Sequence, residues 1–331
     1  MILIDAIYIN NGGGKVLLEL LIEKLKNKNV HFLIDIRLKK NIILDNENIT
    51  FLNPNIFIRH LFYIKYRNKF KFVFCFANIP PTLKLTCFVV TYFHNLLLIK
   101  NSRKFNLILF LKKNFIHFFE HNTDRWFVQS NIVKQELSEN NFNTNKIEVY
   151  PFFEEFPFII QSKNKTIENL VFLYVSSGEP HKNHILLFEA FAKYSILYPQ
   201  SILKVTISDK FSNLLALLKE KRFNGIINLG FIEKEKLNIE YNIADVIIFP
   251  SLRESFGLGL IEAAQFKLPI IASDLKYVYE VVKPTCVFNP HNIDSLFSVL
   301  INNKLYFNKH SSLNISNKLN QMVSLILSYS Q

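Results

Sequence analysis

Short apolar runs alternate with longer segments of helical spacing along almost the whole chain, and this rhythm sets the fold class. In the first half the strand candidates are Ile2 to Ile9, Val30 to Ile36, Phe72 to Phe76, Thr86 to Tyr92, Trp126 to Gln129 and Ile147 to Tyr150. Helix candidates between them are Lys15 to Lys26, Pro54 to Lys65, Leu96 to Phe110 and Asn131 to Glu139. The second half repeats the pattern. Strands are expected at Leu170 to Val175, Ile202 to Ile207, Ile226 to Leu229, Val246 to Phe249, Ile270 to Ala272 and Cys286 to Phe288. Helices are expected at Asn183 to Leu197, Asn213 to Lys221, Lys234 to Tyr241, Leu258 to Phe266 and Ile293 to Ile301. Strands that alternate with helices close into parallel sheets, and 331 residues suffice for two such domains. The stretch Phe152 to Thr166, rich in Phe, Pro and charge and without a clear period, marks the break.

The segment Glu254 to Ala263, ESFGLGLIEA, carries the clearest chemistry. It follows the apolar run DVIIF (Asp245 to Phe249) and a Pro250–Ser251 step. Gly257 and Gly259 permit a tight turn and close backbone approach. A helix opening behind them offers free N–H groups and a positive dipole end at the C-terminal edge of a sheet, where anions bind. Glu254 and Glu262 flank that point, eight residues apart. A phosphate at the helix start between two carboxylates able to hold hydroxyl groups fits a sugar nucleotide. A plain strand–turn–helix unit would give the same glycines without the paired glutamates.

The two glutamates behind a Pro–Ser step resemble the E-x7-E signature of the retaining glycosyltransferases of family 4, the large "glycosyl transferases group 1" family. The similarity extends over FPSLRESFGLGLIEAAQFKLPIIASD, Phe249 to Asp274. The resemblance implies a GT-B fold: two Rossmann-like α/β domains facing a cleft. Residues 1–160 would form the acceptor-side domain and 161–311 the nucleotide-sugar-binding domain. The last segment, 312–331, would be a helix crossing back to the first domain. It also implies roles. Glu254 would hold the donor sugar's hydroxyls and Glu262 the ribose. Ser255, Phe256, Gly257 and Leu258 would line the nucleotide sugar between them.

A second motif, FLYVSSGEPHKNHILLFEAFAKY (Phe172 to Tyr194), places Lys182 where a helix starts. A point charge there adds to the helix N-terminus, and both suit a diphosphate. The lysine–asparagine pair also resembles the family. The family usually carries an arginine about five residues earlier, where this chain has Ser177. The third site is NNGGGK, Asn10 to Lys15, with Gly12, Gly13 and Gly14. It is not a P-loop, because Ile9 stands where that motif needs its first glycine and Val16 where it needs Ser or Thr. A glycine loop that opens a helix after the first strand fits the family's donor-binding loop; it also fits an ordinary turn. His94, in TYFHN, fits the family's first-domain histidine near the donor sugar and equally a structural hydrogen-bonding residue.

Several classes are disfavoured. The three cysteines have no paired spacing, so neither a disulfide framework nor a zinc site is expected. No Asp-x-Asp or His–carboxylate cluster is present, so no catalytic metal and no cofactor are expected; the nucleotide-diphosphate sugar is itself the donor substrate. Ile2 to Ile9 lacks the basic flank of a signal peptide. No apolar run reaches the roughly 20 residues of a membrane span.

The net charge of +12 is concentrated. From Asn48 to Phe119 there is no Asp or Glu and there are eleven cations: Arg59, Lys65, Arg67, Lys69, Lys71, Lys84, Lys100, Arg103, Lys104, Lys112 and Lys113. Interleaved aromatics suit an anionic membrane surface, and no nucleic-acid module is present, so no nucleic-acid partner is expected. A solvated basic face is the plainer reading.

The combined expectation is a cytoplasmic, peripheral glycosyltransferase of polysaccharide or lipopolysaccharide synthesis. It would move a sugar, with retention and without metal, to a saccharide or polyprenyl-linked acceptor. Three rivals stand beside it. One is a non-catalytic basic module for membrane or nucleic acid. Another is a retaining glycosidase, whose two carboxylates flank the scissile bond. The third is a sugar-phosphate phosphorylase or epimerase on the same fold.

Overall fold

The computed structural model describes residues 1–40, 42, 48–99, 107–156 and 166–329. The chain divides into two compact units, Met1–Glu154 with Ser316–Gln331, and Glu155–Ile315. Each is a Rossmann-like α/β unit built on a wholly parallel sheet.

In the first unit the elements run β1 (Ile2–Ala6), α1 (Gly12–Leu25), β2 (Val30–Asp35), β3 (Ile49–Leu52), α2 (Ile56–Tyr66), β4 (Phe72–Cys75), β5 (Phe88–Phe93), α3 (Leu107–Phe118), β6 (Arg125–Val128), α4 (Asn131–Glu139) and β7 (Ile147–Val149). The second unit contains β8 (Val171–Tyr174), α5 (His184–Leu197), β9 (Ile202–Val205), α6 (Ser212–Leu217), β10 (Ile226–Asn228), α7 (Lys234–Ile243), β11 (Val246–Phe249), α8 (Leu258–Gln265), β12 (Ile270–Ser273), α9 (Lys276–Val281), β13 (Val282–Lys283), β14 (Cys286–Phe288), α10 (Ile293–Ile301) and β15 (Ser312–Leu313). The closing helix α11 (Leu319–Ser328) belongs to the first unit and packs on α1.

The seven-stranded sheet has the order β3-β2-β1-β4-β5-β6-β7 and the six-stranded sheet β10-β9-β8-β11-β12-β14. In both, the direction of strand addition reverses next to the first strand, between β1 and β4 and between β8 and β11. A crevice opens at the C-terminal ends of strands at such a reversal, and ligands of open α/β sheets bind there. Gly12 to Gly14 open α1 directly after the β1 loop, where the sequence suggests a loop, and the loop after β11 holds Glu254 to Gly257, so the sequence motifs lie at these points.

One face of the first sheet packs under α2, α3 and α4. Leu3, Leu33, Val73 and Val89 meet Phe62 and Tyr63 of α2. Phe93, Trp126 and Val128, which the register sets on the same face, meet Ile116 of α3 and Val133 and Leu137 of α4. On the opposite face Tyr329, just past α11, stacks on Phe72 and Phe88 at 4.5 and 5.6 Å. Lys318 ties this end down through its backbone N–H to Pro151 O at 2.8 Å and its ammonium to Val149 O at 2.9 Å.

The structure departs from the sequence expectations in particular places. The helix expected over Leu96 to Phe110 is a short turn at Leu96–Leu98, and the α-helix here is Leu107–Phe118; residues 100–106 lie outside the described residues. Strand β3, helix α9 and the antiparallel pair β13–β15 were not anticipated. Most of the expected break, residues 157–165, also lies outside the described residues. Arg59 is no part of a basic surface. It is fully buried and donates to Asp5 at 2.7 Å, Pro80 O at 2.8 Å and Ile79 O at 2.9 Å, while Tyr63 donates to the same carboxylate.

Candidate active site

In the second unit two loops converge at the β8/β11 reversal. After Tyr174 the chain runs through Ser176, Ser177 and Glu179 into a tight turn, Pro180–Lys182. Lys182 therefore ends that turn instead of opening α5. Asn183 follows in the left-handed region, φ 59°, donates to Pro290 O at 2.8 Å, and α5 begins at His184. After Phe249 the second loop runs from Pro250 to Gly257. Gly257, at φ +81°, makes the turn into α8 that an L side chain resists. A Cβ at Gly259 would stand 3.2 Å from Phe249 and 3.6 Å from Val175 O, so glycine there lets α8 press onto the sheet edge.

The two loops are tied together. Leu252 N–H donates to His181 O at 2.8 Å. The Tyr174 hydroxyl donates to Lys182 O at 2.9 Å and lies 3.0 Å from Ser251 Oγ. The Tyr277 hydroxyl donates to Ser251 O at 2.7 Å. Between these ties Lys182 Nζ meets Glu254 Oε1 at 2.6 Å, with side chains only 16% and 12% exposed. Burial, reinforced by the Glu254 charge, keeps the Tyr174 and Tyr277 hydroxyls protonated. A charge pair this withdrawn from water holds its geometry, because stranding either partner is costly.

Phe256 is buried and Ser255 half-buried in the short span between Glu254 and α8. The N-cap residue of α8 is Gly257, which has no side chain of its own to bond the N–H groups of the first turn. Glu262, one turn into α8, accepts from the Tyr241 hydroxyl at 2.6 Å. Burial and the adjoining carboxylate push that hydroxyl's pKa well up, so Tyr241 on α7 is a permanent donor that orients Glu262. Thus Lys182 and Glu254 meet directly, while Glu262 is held by α7. Ser177, at the family's usual arginine position, donates to Glu179, which Lys210 approaches at 3.5 Å.

The first unit assembles its own group at the β1/β4 reversal. Gly12 begins α1 at φ +60°, and a Cβ at Gly14 would stand 3.1 Å from His94 Nε2. Asn78, left-handed after β4, accepts from the backbone N–H of His94 at 2.7 Å and of Asn95 at 3.1 Å. Its amide lies 3.4 Å from His94 Nε2. His94 is half-buried as a residue, but its Nδ1 is out of reach of solvent and has no protein partner. Burial lowers its pKa to about 4, so the ring is neutral at pH 7. The glycine loop and His94 are thereby neighbours. Gly13 lies inside the first turn of α1.

Sequence reasoning missed Tyr174, Tyr241 and Tyr277. They sit in a strand and two helices, and their polar tips show only once the loops converge. Among the described residues no group of three or more His, Cys, Asp or Glu is placed to hold a metal ion.

Comparison with known proteins follows the same division. Residues 155–301 match the model of "Glycosyl transferases group 1". The serotype-specific mannosyltransferase WbdA of Escherichia coli is 27% identical over 129 residues, 37% of this chain and 16% of that protein. The O-antigen chain mannosyltransferase RfbU of Salmonella typhimurium is 29% identical over 181 residues, 51% of this chain and 48% of that protein. The chain thus spans between about a sixth and a half of these relatives. Among solved structures, Anabaena Alr3699/HepE in complex with UDP and glucose superposes with a TM-score of 0.70 at 13% identity, over 100% of this chain and 97% of that one. The lipopolysaccharide outer core galactosyltransferase WaaB gives 0.63 at 16% identity, over 99% and 94%. The fold is GT-B, and by sequence residues 155–301 are similar to the glycosyl transferases group 1 family.

Proposed function

We propose that this protein is a retaining glycosyltransferase. It moves a sugar from a nucleotide-diphosphate sugar to a saccharide or polyprenyl-linked saccharide in polysaccharide or lipopolysaccharide synthesis. The observation that carries this reading is the Lys182–Glu254 pair beside the glycine-started helix α8. A cation, a carboxylate and a helix N-terminus thereby share one sheet edge, which supports binding of a diphosphate and a sugar there. The mannosyltransferase relatives and the neighbour holding UDP and glucose support the substrate class.

In the reaction the anomeric C–O bond breaks and its electron pair leaves with the diphosphate. Lys182 and the α8 N–H groups stabilise that charge as it grows. The Lys182 ammonium exchanges its contact with Glu254 for the diphosphate, which leaves the carboxylate to hold the sugar's hydroxyls. Glu262, oriented by Tyr241, binds the ribose. The acceptor hydroxyl attacks the anomeric carbon from the face the diphosphate leaves and gives its proton to the departing diphosphate oxygen, so configuration is retained. Gly12, Gly13, Gly14 and neutral His94 are proposed contacts of the first unit with the donor sugar.

We assign no metal to this reaction, and expect EDTA to leave turnover intact; rescue of a chelated enzyme by magnesium or manganese would overturn that. Attachment to the cytoplasmic face of an anionic membrane, through the basic stretch, would bring a lipid-linked acceptor within reach. Among the described residues no helix is long and apolar enough to cross a membrane. Incubating the protein with nucleotide sugars and membrane extract, with mass spectrometry of the products, tests the whole reading. Transfer with release of nucleoside diphosphate supports it. Cleavage of a glycoside without nucleotide would favour the glycosidase alternative.

A further inference from the structure

The outer surface of α2 runs against the logic of a soluble helix. Its inner positions Arg59, Phe62 and Tyr63 are buried. Its outer positions Phe57, Leu61 and Ile64, spaced i, i+4 and i+7, form an apolar stripe and are 74%, 63% and 47% exposed. Helix α3, on the same sheet face, exposes Leu107, Leu111 and Phe118. A stripe of large apolar groups in water marks a contact surface.

The charge beside the stripe identifies the partner. Lys65, Arg67 and Lys69 cluster at the C-terminal end of α2, all exposed, with Lys65 and Lys69 over the Tyr66 ring at 5.1 and 5.4 Å. The stretch from Asn48 to Phe119 around them contains no Asp or Glu. A two-fold contact between copies of this chain would set like charges against each other. An anionic lipid surface takes both features together, with apolar side chains in the headgroup–acyl boundary and cations among the headgroups.

We propose that the outward faces of α2 and α3 dock on an anionic lipid leaflet, with Phe57, Leu61 and Ile64 entering the boundary and Lys65, Arg67 and Lys69 holding the headgroups. This inference rests on peripheral attachment and adds its mode, insertion of a helix face rather than charge attraction alone. The basic stretch is smaller than its sequence suggests. Arg59 is buried against Asp5, and Lys84 pairs with Asp124 at 3.3 Å.

The test uses the full chain and vesicles of phosphatidylcholine with or without phosphatidylglycerol. Wild-type protein should sediment with the anionic vesicles, and part of that binding should survive 1 M NaCl, where the Debye length falls to ~3 Å. The double variant Leu61→Glu/Ile64→Glu should lose the salt-resistant part at least tenfold, with an unchanged melting curve and unchanged emission from Trp126, the only tryptophan, which is buried. A Leu61→Trp variant should gain emission that brominated lipid quenches. Failure of the wild type to bind anionic vesicles would overturn peripheral attachment itself. Binding without loss in the double variant, or without quenching in Leu61→Trp, would overturn insertion alone. A wild-type dimer that the double variant abolishes would assign the stripe to a second copy and overturn the proposal.

Discussion

The two units repeat one topology and furnish its edge differently. At the β8/β11 reversal the loops carry a salt bridge, Lys182–Glu254, and a carboxylate oriented by a buried tyrosine. At the β1/β4 reversal the charge pair, Asp5–Arg59, is fully buried, and the corresponding place holds the glycine start of α1 and an uncharged imidazole. The parallel sheet supplies a crevice in either case; the loop residues decide what it can hold. A charged edge suits a departing diphosphate. A neutral, close-approach edge suits hydroxyl groups, which need hydrogen bonds but no counter-charge.

The largest expected effect falls on the charged edge. Lys182→Ala should lower turnover with the correct nucleotide sugar by roughly a hundredfold or more, the scale of losing one preorganised charge partner. It should also lower the melting temperature, because Glu254 is left largely buried without its cation. Steady-state kinetics and a thermal melt check both. Unchanged turnover would erase the distinction between the two edges.

Acid should affect both units. Burial lowers His94 and His184 from 6.5 to about 4, with Lys182 adding to the effect on His184. A depressed folded-state value means stability is fully present above pH 6.5 and is lost as pH falls towards 4. Each histidine contributes about 3 kcal/mol to that loss. Melting temperature should therefore fall across this window, and His184→Gln should flatten the fall. A wild-type profile that is flat from pH 7 to pH 4 would show the rings are charged or exposed.

Glu262→Ala should weaken nucleotide binding by about 1–3 kcal/mol, the value of a buried hydrogen bond to a ribose hydroxyl. Part of any stability loss would come from stranding the Tyr241 hydroxyl, so Tyr241→Phe is the control. Unchanged affinity in calorimetry would remove Glu262 from the site. The smallest effect is expected on the neutral edge. Gly14→Ala puts a methyl group 3.1 Å from His94 Nε2 and should cost about 1 kcal/mol of stability. No change in a urea titration would mean the imidazole yields freely.

Much of this was legible in the sequence because the dominant signals are local. Strand β11 and helix α10 fall where periodicity set them, and β14 likewise. Glu254, Gly257 and Glu262 follow one another through a single loop and the start of α8, so spacing alone groups them. Strand β3 escaped because four residues, ITFL, carry too little period. Helix α9 is six residues long, and β13–β15 joins segments about thirty residues apart. The Arg59–Asp5 pair spans 54 positions, so an arginine in an acid-free stretch reads as surface until the fold buries it. The aromatic hydroxyls of the site were hidden for the same reason, since only tertiary contact turns them from core residues into positioning groups.

The central claim is that the charged edge holds the diphosphate and the neutral edge does not. Calorimetric titration of UDP and GDP into wild-type protein, Lys182→Ala and His94→Ala tests it most directly. The account predicts that wild type binds at least one of the two, that Lys182→Ala binds it at least about tenfold more weakly, a loss of ~1.4 kcal/mol, and that His94→Ala stays within about twofold. No binding by the wild type, or an equal loss in both variants, would contradict it.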